Sequence, residues 1–170
     1  ARESHISLMT VKHIVDGLIE EGIVEEHAFS AAVGRKPKAL NIAEKYGNIV
    51  CINLTSTESL RYLIYDLKRK LLAEGGCSFD REKQSYQKVL AQLVEEIRTK
   101  LQSFSTETVG VGVSVPSAYY EKEDLTNYDL IPAFKGFHIR QYFQEAFGLE
   151  NVAVVHDVVS AAKSEYESKP

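Results

Sequence analysis

Long apolar runs are what this chain most plainly lacks: its 170 residues nowhere supply the roughly 18 consecutive apolar positions that a bilayer-spanning helix needs. Nor do the first residues carry the basic, apolar and small-residue sequence of a signal peptide. The expected compartment is therefore the cytoplasm, with no membrane partner. Cysteine is scarce as well. Cys51 and Cys77 lie far apart and outside any C-x-x-C pair, so neither argues for a metal site. The apolar neighbours of Cys51 mark it as a buried strand residue. Positive charge is also short, with 20 Lys and Arg against 24 Asp and Glu and a formal net charge of -4. That balance speaks against a protein that coats nucleic acid without regard to sequence.

What remains is ordinary globular material, 44% hydrophobic and 26% charged, enough for one good core or two small ones. The most informative stretch is the first forty residues. Val11, Ile14, Val15, Leu18 and Ile19 recur at the spacing that sets one stripe of a helix against a core. Ser7 is placed to cap the helix start, and Gly22 supplies a left-handed stop after Glu21. The opposite face carries Met9, Thr10, Lys12, His13 and Asp16.

Two short strands are expected next, Ile23 to His27 and Lys38 to Ile42, joined by an Ala-, Ser- and Gly-rich tip that carries Arg35 and Lys36. A helix that enters the major groove beside a basic hairpin is the winged form of helix-turn-helix binding. On that reading Ser7, Met9, Thr10, Lys12 and His13 face bases or flanking phosphates, and Arg35 and Lys36 reach the backbone or minor groove. An amphipathic helix and hairpin with no DNA role fit the same spacing. Within residues 1 to 41, Arg2, Lys12, Arg35, Lys36 and Lys38 are offset by Glu3, Asp16, Glu20, Glu21, Glu25 and Glu26. Any affinity for DNA must then come from local placement and dimerisation.

A second module is expected over 46–170, after a first over 1–45. Its strand candidates are Ile49 to Leu54, Leu60 to Asp66 and Lys70 to Glu74, three short antiparallel strands in a meander. Asp80 is a candidate cap for a long helix whose apolar positions run from Tyr86 through Val89, Leu90, Leu93, Val94 and Ile97 to Leu101. Its charged face holds Glu82, Lys83, Lys88, Glu95 and Glu96, most simply a solvated surface. Then come a Gly-interrupted strand from Val109 to Pro116, a helix from Ile139 to Phe147, a strand from Val152 to Val155 and a helix from Asp157. The glycines of the first of these strands suit a close approach to a ligand or another backbone.

This is the plan of one lobe of the ribonuclease H-like, actin and sugar-kinase ATPase fold. The expected class is thus α/β, a partial winged helix-turn-helix followed by that lobe, with the later strands parallel to the first. Ligands of open α/β sheets sit beyond the carboxyl ends of the strands, which points to Asn53-Leu54-Thr55, Val115-Pro116 and His156-Asp157.

Four landmarks make the chain resemble the bacterial repressors, open reading frames and sugar kinases known as the ROK family, from about Ser4 to Lys169. They are Gly34-Arg35-Lys36-Pro37, Asn53-Leu54-Thr55-Ser56-Thr57, Gly110-Val111-Gly112-Val113-Ser114-Val115-Pro116 and His156-Asp157-Val158-Val159-Ser160-Ala161-Ala162. The resemblance implies a transcriptional regulator whose partners are operator DNA and a carbohydrate or phosphosugar effector, and which forms a homodimer or larger assembly. It also implies that this chain is a fragment of a longer repressor, lacking the first helices of the DNA module and a second lobe. No cofactor is expected in these residues, because the family's zinc motif and its Glu-x-Gly-His sugar contact belong to that second lobe.

The departures bear on activity. Kinases of the family open the phosphate loop with Asp-x-Gly-Gly-Thr, whereas this chain has an amide at Asn53 and side chains where both glycines would stand. A loop that cannot approach the phosphates loses the positioning on which phosphoryl transfer depends, so ATP binding is expected to be weak or absent. By resemblance Asp157 occupies the position of the catalytic base, vestigial here, and His156 replaces an Asn. Both are sugar-contact candidates, and Asp157 is equally suited to cap the last helix. Leu130-Ile131-Pro132 corresponds roughly to a sugar-contacting Asn-Leu-Pro. Two further readings stay open: a sugar kinase with Asp157 as base, and a scaffold for dimerisation or for a partner protein.

Overall fold

The computed structural model describes residues 6–28, 38–43, 45–78, 80, 84–127 and 131–167. The chain divides into two compact units, one ending at Tyr46 and the other beginning at Gly47.

In unit 1, α1 spans Leu8–Glu20. The Oγ of Ser7 accepts the Thr10 amide at 3.1 Å, and Gly22 adopts a left-handed φ of 71°, so both punctuation marks act as expected. The buried stripe is weaker than its periodicity suggests. Val11, Val15, Leu18 and Ile19 are only half-buried, and Ile14 is 49% exposed. β1 (Val24–Ala28) pairs antiparallel with β2 (Lys38–Ile42), Val24 facing Ile42 and Ala28 facing Lys38. The hairpin tip, including the Gly34-to-Pro37 landmark with Arg35 and Lys36, lies outside the described residues. Among the described residues unit 1 thus holds one helix and one hairpin, and a complete helix-turn-helix requires a second helix.

Unit 2 is built on a five-stranded mixed sheet. Its strands are β3 (Asn48–Asn53), β4 (Ser59–Asp66), β5 (Leu71–Ser78), β6 (Thr108–Val115) and β9 (Val152–His156), in the order β5-β4-β3-β6-β9. β3, β4 and β5 form the antiparallel meander, and β6 and β9 join parallel to β3. Helix α2 (Tyr86–Leu101) follows β5, α3 (Ile139–Phe147) precedes β9, and α4 (Asp157–Glu167) follows it. This is the expected ribonuclease H-like lobe plan.

Alternation along the strands sorts the sheet into two faces. Val50, Ile52, Leu60, Tyr62, Ile64, Val111, Val113, Val115, Val152 and Val154 form one, which packs with Val89, Leu90, Leu93 and Ile97 of α2 and Ile139 and Phe143 of α3. Each fully buried Leu or Ile in such a core contributes about 1.5 to 3 kcal/mol relative to exposure. Cys51 lies on the other face and is half-buried, a correction to its expected burial: its neighbours Val50 and Ile52 point into the core and it points away. Partial burial still pushes its thiol above the ordinary range.

Three local expectations change. The cap of α2 is Ser85, whose Oγ accepts the Lys88 amide at 3.3 Å; Asp80 lies upstream of it, its carbonyl accepting the Gln84 amide. Residues 81–83, with the expected surface charges Glu82 and Lys83, lie outside the described set. β5 continues through Gly75 and Gly76 to Ser78, because the first glycine leaves room for Tyr62 and Glu96 and the second for the Leu60 carbonyl. The Tyr62 hydroxyl, buried and hydrogen-bonded to Glu96, is pushed up to about 12 and stays neutral. Asn48, one residue ahead of the expected strand, is fully buried at the start of β3, where its Nδ2 donates to the Thr106 carbonyl and its Oδ1 accepts from Thr108.

A small hairpin, β7 (Tyr119–Tyr120) and β8 (Leu125–Thr126), follows β6, and Pro132–Phe134 forms a single 3-10 turn before α3. Among the described residues no helix is long and apolar enough to cross a membrane, and no three His, Cys, Asp or Glu side chains could hold a metal ion together.

Candidate functional sites

In unit 1 the residues singled out for DNA contact share α1 but not the same freedom. Ser7 and Thr10 are committed to each other, the hydroxyls lying 2.8 Å apart and the Ser7 Oγ also accepting the Thr10 amide. Met9, Lys12 and His13 fall at i, i+3 and i+4 and are all exposed, Met9 to 80%. No acidic residue stands in the first turn. The strand ends next to the hairpin's connecting segment are less basic than their sequence suggests, since Lys38 pairs with Glu26 and the His27 Nε2 lies 3.0 Å from Glu25.

In unit 2 the expected strand-end residues come together. Asn53 faces Arg61 across β3 and β4 and Ser114 across β3 and β6. With Thr55 and Asp157 they line an open cavity of about 1150 Å³ on the sheet face opposite α2, bounded by Ser160, Ala161 and Ser164 of α4. Gly112 opens onto unfilled space, whereas a side chain at Gly110 would press on Asn151. The close approach expected along β6 thus belongs to Gly110 and to a neighbouring side chain.

The chemistry of this cavity is hydrogen bonding more than charge. The Asn53 Oδ1 accepts the Thr55 amide at 2.9 Å and the Thr55 hydroxyl at 2.6 Å, so the side chain closes its own turn. Asp157 opens α4 and accepts the Val158 amide at 2.7 Å, with His156 Nε2 3.3 Å from the same oxygen. Asp157 thus stands in the first turn of α4 and lines the cavity. His156 is beside it, though it is not itself among the cavity-lining residues.

Of the Leu130-Ile131-Pro132 correspondence, Leu130 lies outside the described residues, Ile131 is buried in the core and Pro132 begins the 3-10 turn. A core side chain is not available for sugar contact, which corrects that expectation at Ile131. Sequence reasoning missed Arg61 and Glu74, which line the cavity. The signal was present in the alternation of β4, whose Arg61, Leu63 and Tyr65 must share the face away from α2.

No family model and no curated protein matches this sequence. Solved structures do match. A ROK family transcriptional regulator, a homolog of the E. coli MLC protein, superposes with a TM-score of 0.68 at 18% identity, over 92% of this chain and 40% of its own. The ROK hexokinase of Thermus thermophilus matches with a TM-score of 0.53 at 19% identity, over 65% of this chain and 35% of its own. The glucokinase of Parabacteroides distasonis gives 0.52 at 15% identity, over 66% and 31%. The chain spans less than half the length of each. It has the fold of ROK family proteins over the part they share.

Proposed function

We propose that this chain is the DNA-binding module and first lobe of a ROK-type transcriptional regulator, in which unit 1 contacts operator DNA and unit 2 senses a carbohydrate without phosphorylating it. The carrying observation is the extent of the likeness to the regulator: unit 2 alone, residues 47 to 170, cannot supply 92% of the chain, so the likeness reaches into unit 1. The two sugar kinases match about two thirds.

On this reading α1 is the recognition helix and the β1–β2 hairpin is the wing, with Arg35 and Lys36 in the sequence that joins its strands. Met9, Lys12 and His13 are the side chains free to meet DNA, while Ser7 and Thr10 serve the helix start. Asp157 offers a carboxylate to a sugar hydroxyl, and the hydroxyls of Thr55, Ser114 and Ser160 supply neutral partners around it.

Loss of phosphoryl transfer follows from the loop after β3. Asn53 has no carboxylate with which to organise a metal and nucleotide, and its amide oxygen is already held by Thr55. Without the glycines, backbone amides at 54–57 cannot close around a phosphate. The test is a calorimetric titration of the chain with Mg-ATP and with a panel of unphosphorylated and phosphorylated hexoses, alongside an assay for phosphate transfer. Sugar binding with no nucleotide binding is expected. Transfer of phosphate from ATP to any hexose would overturn the sensor reading and make the lobe a kinase.

A further inference from the structure

The largest unexplained apolar exposure in unit 1 sits at one end of α1. Met9 is 80% exposed in the first turn, where solvent contact wastes the burial it could gain, whereas Leu8, 79% exposed, continues the stripe of Val15 and Ile19. Lys12 and His13 follow on the side of Met9, both exposed, and the first acid on that side is Asp16 one turn further on.

The charge order along the helix identifies the kind of partner. Helices are stabilised by acids in the first turn and bases in the last. This one has neither: no acid in the first turn, no base in the last, and Asp16, Glu20 and Glu21 gathered towards its C-terminal end. Such an order does nothing for the helix and leaves Met9 beside the Lys12 ammonium, the His13 ring and the free backbone N–H groups of the first turn. A partner that is apolar at the contact and anionic around it fits that surface. B-DNA presents that combination in the major groove, where thymine methyl groups stand between two rails of phosphate.

We infer that Met9 is a specificity-determining residue that reads thymine methyl groups in the major groove, with Lys12 and His13 on the flanking phosphates. The inference rests on the reading of α1 as the recognition helix and adds to it the base that is read and the side chain that reads it. Met9 makes the central contact because it shares the face of Lys12 and His13, and its unbranched thioether adapts to a methyl group without fixed geometry. Ser7 and Thr10, engaged with each other, take no part in base choice.

The test uses the whole 170-residue chain and a random duplex pool. Enriched duplexes are remade with deoxyuridine in place of thymine, which deletes the methyl group and keeps every hydrogen-bonding atom. Each contacted methyl lost should weaken binding about fourfold, the value of one buried methylene-sized group. Met9→Ala should bind thymine and deoxyuridine duplexes alike, with an unchanged dependence on salt; at 80% exposure Met9 lies outside the core, and a thermal melt checks that the variant folds. Equal binding of both duplexes by the native chain would overturn the inference while leaving DNA binding intact. So would Met9→Ala altering self-association in sedimentation while discrimination persisted, for then the face meets a second copy. Failure of any duplex to enrich would remove the DNA reading itself, and this inference with it.

Discussion

Asp124 shows how much a single side chain can organise. Its Oδ1 accepts the Tyr119 hydroxyl at 2.8 Å and the Arg140 amide at 2.8 Å, and its Oδ2 accepts the Gln141 amide at 2.9 Å. The carboxylate therefore ties the β7–β8 hairpin to the first turn of α3, a helix whose own N-cap residue, His138, makes no side-chain cap bond. Its φ of 52° is one that Asp and Asn tolerate better than most residues. The Arg140 guanidinium lies over the Tyr119 ring and reaches Glu121, closing the same junction. Asp124→Ala should cost about 2 kcal/mol, since it strips a cap and leaves the Tyr119 hydroxyl without its acceptor. Asp124→Asn, which keeps an acceptor and the backbone tolerance, should cost about half as much. Thermal unfolding followed by circular dichroism checks both; a native midpoint for the Ala variant would show that the clamp contributes nothing.

Among the elements, β5 and β6 show what glycine does in a strand. An added Cβ at Gly76 would lie 2.2 Å from the Leu60 carbonyl oxygen and 3.0 Å from the Arg61 Cα, both backbone atoms of the paired β4. Backbone cannot swing aside as a flexible side chain can. Gly76→Ala should therefore destabilise unit 2 by about 2 kcal/mol or more, whereas Gly112→Ala, opening onto the cavity, should stay within about 0.5 kcal/mol of the native chain. Urea denaturation read at the midpoint compares the two, and equal midpoints would contradict the packing described for β5.

Elements with local signals were legible in the sequence. Ser7 and Gly22 bracket α1, the period of Tyr86 to Leu101 gives α2, and the alternating apolar positions of β3 and β4 give the meander. The features that escaped depend on distant partners. Asp124 looks like one more charge in Glu121-Lys122-Glu123-Asp124 until α3, sixteen residues on, supplies its donors. Asp80 and Ser85 are both good caps in isolation, and only the realised start of α2 chooses between them. At the candidate site, the strand ends and Asp157 could be placed from topology, but Arg61 and Glu74 enter it only because β3, β4 and β5 lie edge to edge.

At the scale of the molecule, two units divide two kinds of chemistry. Unit 2 has a packed core and a cavity lined by hydroxyls, by Asp157 beyond a strand end, and by Arg61 and Glu74. Unit 1 buries no residue of α1 completely and spends its exposed surface on Met9, Lys12 and His13. With a net charge of -4 for the whole chain, attraction to DNA must be local, carried by a few cations and hence measurable one cation at a time. Binding of duplex DNA by unit 1, through α1 and the basic residues between β1 and β2, is the property proposed for it. Its most direct test is the affinity of the chain for an enriched duplex, measured by fluorescence anisotropy across rising salt, for the native protein, Lys12→Ala and Arg35→Ala. The native affinity should fall linearly in a log–log plot, and each variant should bind more weakly with a slope shallower by about one ion. Native affinity and native slope in both variants would contradict the claim.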